Sequence, residues 1–162
     1  STACGFRCMG PFSRFDHHQQ GEPRSILYCA QSLSCCVVEC FGDTGVIESQ
    51  GRRLAFLSTT RALTLLDLQG NGAMLAGSVA ALAATADRKL SQAWSCYFYE
   101  TLPVDGILYS NAHNGEPAIA LYERAEPAIQ CLEDHPLGDP RLRGHLLQVA
   151  VDHALILAAS VV

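Results

Sequence analysis

The chain has 162 residues, 49% hydrophobic and 17% charged, with a net charge of −5. That is enough apolar material for one domain core and too little charge for a disordered chain. With no Lys/Arg block and no run near the ~20 apolar residues of a membrane span, direct nucleic-acid binding and a membrane location are both expected to be absent.

Residues 3–9 read as an opening strand, and 10–23, rich in Gly, Pro and His, as a loop. Asp16, His17 and His18 in that loop read as a solvated cluster. Residues 25–30 (SILYCA) form a short strand. The clearest helix covers 32–41, where Leu33, Cys36, Val37, Cys40 and Phe41 make one apolar stripe. Ser32 is its N-cap and Gly42 its C-terminal stop. Glu39 lies about 60° from Cys36 at about 100° per residue, so it borders the stripe. A carboxylate there can line a cleft while its helix stays packed.

Strands are expected at 53–58 and 62–68, and a broken helix at 70–86. Leu90, Ala93, Trp94, Tyr97 and Phe98 give a second amphipathic helix. Residues 106–110 (GILYS) and 118–122 (AIALY) are two more strands. After Pro127 the chain reads as helical in two pieces, parted near Pro136 to Pro140. The apolar tail after Ala154 reads as core or partner surface. Strands and helices in this order suit a single α+β domain over residues 1–162.

The eight cysteines read as small, mostly buried hydrophobes kept reduced in the cytosol. Cys4/Cys8 and Cys36/Cys40 make no C-x-x-C, so no metal site is expected. Arg7 has no apolar run behind it, so no signal peptide is expected and the location is taken as cytoplasmic. No P-loop, G-x-G-x-x-G, H-E-x-x-H or G-x-S-x-G occurs.

Four segments together carry a resemblance. They are Gly5-Phe6-Arg7-Cys8, Ser13-Arg14-Phe15-Asp16, Ile26-Leu27-Tyr28-Cys29-Ala30 running into Val38-Glu39-Cys40-Phe41, and Asp105-Gly106-Ile107-Leu108-Tyr109-Ser110. Leu66-Asp67-Leu68, Asp87-Arg88 leading to Gln92-Ala93-Trp94, and Ala120-Leu121-Tyr122-Glu123-Arg124 support them. From Cys4 to Gln130 the chain resembles the RES-domain toxins of bacterial toxin–antitoxin pairs.

The resemblance implies a fold like that of ADP-ribosyltransferases, with mixed central sheets and flanking helices. It implies NAD⁺ as substrate, cleaved by hydrolysis or phosphorolysis, or used to ADP-ribosylate a protein. It also implies an Xre-type antitoxin that blocks the site and carries any DNA binding, with a homodimer or a hetero-oligomer both compatible. Carried over by residue, Glu39, Arg7 and Ser110 are the catalytic set, and Tyr28, Arg14 and His113 the substrate-binding set. Arg7 is favoured over Arg14 for the pyrophosphate, because a planar guanidinium fork offers paired donors. Tyr28 would stack on nicotinamide, and Ser110 would bond the adjoining ribose or carboxamide. Glu39 would stabilise an oxocarbenium-like ribose. The leaving group is a neutral pyridine, so no metal is called for. A non-catalytic interaction module, docking through the apolar C-terminal segment, is the reading of another class.

Overall fold

Three short apolar runs form adjacent strands because each is covered on both faces. The computed structural model describes residues 3–71 and 87–161. In chain order the elements are β1 (Ile26–Ala30), α1 (Leu33–Phe41), β2 (Val46–Ile47), β3 (Arg53–Thr59), β4 (Leu65–Asp67), α2 (Arg88–Thr101), β5 (Gly106–Ser110), β6 (Pro117–Tyr122), a 3-10 turn (Glu123–Ala128), β7 (Ile129–Pro136), α3 (Arg143–Asp152) and β8 (Ile156–Leu157). The main sheet has the order β1-β6-β5-β4, antiparallel except for the β4–β5 pair. Two further pairs, β2–β8 and β3–β7, flank it. This is the expected α+β arrangement of mixed sheets with helices beside them.

Ile26, Ile107, Tyr109, Ala118, Ala120 and Tyr122 face one core, closed by Phe15, Cys35 and Phe98. Leu27 and Leu121 face another, with Leu57, Ile119 and Ile129 packed against them. Strands buried on both faces lose polar alternation, which is why SILYCA, GILYS and AIALY are nearly all apolar. A third core joins Val37 and Phe41 of α1 to Leu146, Val149 and Ala150 of α3. The tail contributes as well: β8 lies parallel to β2, and Val161 is buried.

Several expectations are corrected. Residues 3–9 are not a strand; only Arg7 bridges, exchanging both backbone bonds with Ile26 at 2.8 and 3.0 Å. The chain then leaves the sheet edge, and Cys4 is tied by a disulfide to Cys131 on β7. That bond also overturns the reading of all eight cysteines as reduced and mostly buried. Among the free ones only Cys35 is fully buried, while Cys8 and Cys40 are exposed. Ser32 caps α1 as expected, accepting from the Cys35 amide at 3.0 Å. Gly42 is the C-cap as expected, the helix ending at Phe41, but it stays right-handed; the left-handed turn comes at Gly45 (φ 70°), whose amide reaches the Phe41 carbonyl at 2.8 Å.

The second helix is present but turned. It buries Ser91, Ser95 and Phe98 and leaves Leu90 and Tyr97 exposed. Ser95 is drawn inward because its hydroxyl donates to the Phe15 carbonyl at 2.6 Å. The strand expected at 62–68 shortens to β4. The first helical piece expected after Pro127 is instead β7, paired antiparallel with β3 through a bulge at Phe56/Leu57. Pairing supplies what the local pattern lacks: Arg53 bonds both the side chain and the carbonyl of Asp134 across the ribbon. The expected helix at 70–86 falls mostly outside the described residues.

Candidate functional site

The loop before β1 is not solvated in its middle. Phe15, Asp16 and His17 are all fully buried, because the loop folds back under the main sheet. Asp16 organises the turn. It accepts two bonds from Arg7 (2.7 and 2.9 Å), one each from the Phe12 and Ser13 amides (2.6 and 3.0 Å), and one from the Tyr28 hydroxyl (2.9 Å). Burial would raise the Asp16 pKa, but these donors outweigh it and hold the carboxyl below its ordinary value. The Tyr28 oxygen in turn accepts from the Phe15 amide at 3.0 Å. Its phenol, desolvated and beside a carboxylate, is pushed well above its usual pKa and stays a donor. Asp16 is fully buried and Arg7 29% exposed, so this pair fixes the turn while leaving part of the guanidinium open to the surface.

Arg14 lies one step further round. Its guanidinium sits 4.9 Å from the centre of the Phe15 ring and 5.4 Å from that of Tyr109. The two rings pack on each other at 4.8 Å. Tyr109 reaches from β5 to the side chain of Glu39 on α1. Crowding around the Glu39 carboxyl raises its pKa, while His113, Arg14 and the Tyr109 hydroxyl act against that rise. Glu39 as a residue is exposed, so its carboxylate rims a cleft as its helical position implied.

His113 closes the far side. Its amide is held by the Asn111 side chain at 2.8 Å, and its imidazole faces Asp43 at 3.4 Å. It rests directly on Gly42, where a Cβ would lie 2.7 Å from the ring. Asn111 is itself buried and donates to the Cys35 carbonyl at 3.3 Å, tying the loop to α1.

Glu39, Tyr28 and Tyr109 line a cavity of about 80 Å³ with Cys35, Cys36 and Cys40. A second cavity of about 370 Å³ adjoins it, sharing Tyr28, Cys29, Cys36 and Cys40. Burial pushes the Cys29 and Cys36 thiols up, to about 12 and about 11, so this wall is uncharged at neutral pH. A concavity of about 640 Å³ lies beyond, around Arg52 and Arg141.

The fold thus brings Glu39, Arg14, Tyr28 and His113 toward one cleft. Arg7 joins through Asp16 and Tyr28. Ser110 does not line the Glu39 cavity. It follows Tyr109 on a strand, and successive side chains point to opposite faces; its hydroxyl faces Gln69 at 3.5 Å. Asp16, Tyr109, Asn111 and Gly42 were missed as site residues. Asp16 and Tyr109 stand inside the SRFD and GILYS segments, but nothing local says what they contact. Among the described residues, no three His, Cys, Asp or Glu side chains are placed to share a metal ion. No helix among them is long and apolar enough to cross a membrane.

Comparison with known proteins agrees with this architecture. A chain of the M. tuberculosis MbcT–MbcA toxin–antitoxin complex superposes with a TM-score of 0.60 at 20% identity, over 83% of this chain and 75% of that one. That likeness is one of fold. The probable toxin y4kH of Sinorhizobium fredii (strain NBRC 101917 / NGR234) is 30% identical over 113 residues, 68% of this chain and 87% of that protein. The family model described as RES domain matches residues 6–143, which include Arg7, Arg14, Tyr28, Glu39, Ser110 and His113, so the chain belongs to the RES domain family.

Proposed function

We propose that the chain is the toxin of a toxin–antitoxin pair and acts by breaking the nicotinamide–ribose bond of NAD⁺. The observation that carries this is the convergence of Glu39 with Arg14, Tyr109 and His113 at the rim of one cleft. Departure of nicotinamide takes the bonding electrons with it and leaves positive charge on the ribose. A fixed carboxylate beside that sugar stabilises the charge where it develops. Glu39 fills this role as the carboxylate, with His113, Arg14 and the Tyr109 phenol beside it favouring its ionised form against the burial that raises its pKa. Arg14, which acts on Glu39 electrostatically and lies over the Phe15 and Tyr109 rings, would hold the phosphate next to that ribose. Tyr28 would pack on nicotinamide, with Arg7 setting its pose through Asp16. Ser110, which turns to the face opposite Tyr109 and meets Gln69, is given no step at the reacting bond. Water or phosphate then takes C1′. The toxin names among similar proteins favour an antitoxin partner, here of the Xre type, that covers the cleft in the cytoplasm.

The purified chain incubated with NAD⁺ should release free nicotinamide, and Glu39→Ala should not. Turnover that requires phosphate assigns phosphorolysis; turnover without it assigns hydrolysis. Label from NAD⁺ appearing on protein instead would move the assignment to ADP-ribosyl transfer. Binding without turnover or label would leave a non-catalytic module.

A further inference from the structure

Arg52 stands where three features meet. It lines both the 370 Å³ cavity that adjoins Glu39 and the 640 Å³ concavity beyond it. The two share Gly51, Arg52, Arg53 and Leu137, and the smaller shares Tyr28, Cys29, Cys36 and Cys40 with the cavity that Glu39 lines. Its neighbours of like charge are engaged: Arg53 is paired with Asp134 at 2.8 Å and Arg141 with Asp139 at 2.7 Å. Arg52 meets no carboxylate and makes no side-chain hydrogen bond among the described residues. Its guanidinium instead lies over the Phe41 ring, 5.0 Å from the centroid. A guanidinium stacked in this way is oriented, and its donor edge stays open.

The backbone delivers Arg52 at a conformational cost. The turn from Ser49 passes through Gln50 at φ 30° and Gly51 at φ 73°, and closes with an Arg52 amide bond to the Ser49 carbonyl. A positive φ at a non-glycine residue is strained, and such strain persists where the surroundings fix it. Here they do, since the Arg52 carbonyl accepts from the Leu137 amide at 2.9 Å. Phe41 and Glu39 belong to the same helix, so α1 fixes the spacing between the open cation and the candidate catalytic carboxylate.

We infer that Arg52 is a second anion subsite, gripping the distal phosphate of a pyrophosphate-linked dinucleotide whose nicotinamide ribose lies at Glu39, with the far nucleoside in the concavity beyond. This rests on the reading of Glu39 as the carboxylate that acts on NAD⁺. Arg14 serves the phosphate beside the nicotinamide ribose, and Arg52 serves the other. The site therefore selects a dinucleotide over a mononucleotide. A bidentate guanidinium–phosphate contact accounts for roughly 10–100-fold in affinity.

The test uses the full chain in a buffer free of phosphate and sulfate, with ADP as the binding probe measured by calorimetry. Arg52→Ala and Arg52→Gln should each weaken ADP about tenfold or more, with unchanged thermal unfolding, since the side chain is exposed. In turnover, both should raise KM for NAD⁺ with kcat held within about twofold. Cleavage of nicotinamide mononucleotide, which lacks the distal phosphate, should be untouched. ADP binding equal to wild type in both variants, or no ADP binding by wild type at millimolar concentration, overturns the assignment. Equal losses on mononucleotide and dinucleotide overturn it as well. If the wild type binds ADP through Arg52 yet never cleaves NAD⁺, the proposed reaction fails while the diphosphate subsite stands.

Discussion

Opposing influences fix the charge on Glu39. The protein packed around it raises its pKa above 4.5, while His113, Arg14 and Tyr109 resist. If the ionised form is the working one, kcat/KM falls as pH drops through a value above 4.5. Tyr109→Phe removes the phenol that favours that form, so the acid limb should move to higher pH. A pH–rate profile of nicotinamide release reads this directly, and an unmoved limb would detach Tyr109 from the chemistry. At this scale the sequence revealed Glu39 well, since helical phase alone puts it at the edge of an apolar stripe. It revealed Arg7 poorly. Residue type and resemblance mark Arg7 for a pyrophosphate, but its Nη2 already bonds Asp16, nine positions on, and its Nη1 the Met9 carbonyl. Such a pairing depends on the path of an irregular loop, which no periodicity encodes.

Among the elements, α1 and its exit decide the shape of the cleft. Gly42 has φ −58°, so any residue could adopt its backbone; the objection to a side chain is spatial. A Cβ would lie 2.6 Å from the Val38 carbonyl oxygen and 2.7 Å from the His113 ring. Gly42→Ala should therefore displace His113 and lower kcat/KM about 10–100-fold. In a double-mutant cycle with His113→Ala the two losses should not add. Wild-type turnover in Gly42→Ala would remove His113 from the site. The strands of the main sheet were legible because burial on both faces leaves unbroken apolar runs. β7 was not legible, because five of its eight positions, Gln130 to Glu133 and Pro136, are exposed and its apolar residues keep no period of two. What makes it a strand is β3, which lies 70 residues and more away in sequence.

The whole molecule carries a pH sensitivity separate from the cleft. His17 is fully buried between Tyr99 and Tyr122, with one ring nitrogen bonded to Glu123 at 2.9 Å. Desolvation holds its pKa down at about 4 against an ordinary 6.5, despite the pull of Glu123. Below pH 6.5 the unfolded chain takes up a proton that the native one refuses, so stability is full above that pH and declines beneath it. Between pH 7 and pH 5 the loss from this group is about 2 kcal/mol. Urea unfolding at both values should show it in the wild type and not in His17→Gln; equal slopes would mean that His17 is protonated in the native state.

One helix belongs to two cores at once: α1 gives Cys35 to the first and Val37 and Phe41 to the third. A segment clamped from both sides has no low-energy way to open alone. Amide exchange over the last turn of α1 should therefore run at the rate of complete unfolding. Leu146→Ala on α3 and Phe98→Ala on α2 should each speed it by the full loss of stability they cause. The backbone that holds Glu39 is then among the last parts of the molecule to let go, and damage to either core reaches the cleft through it.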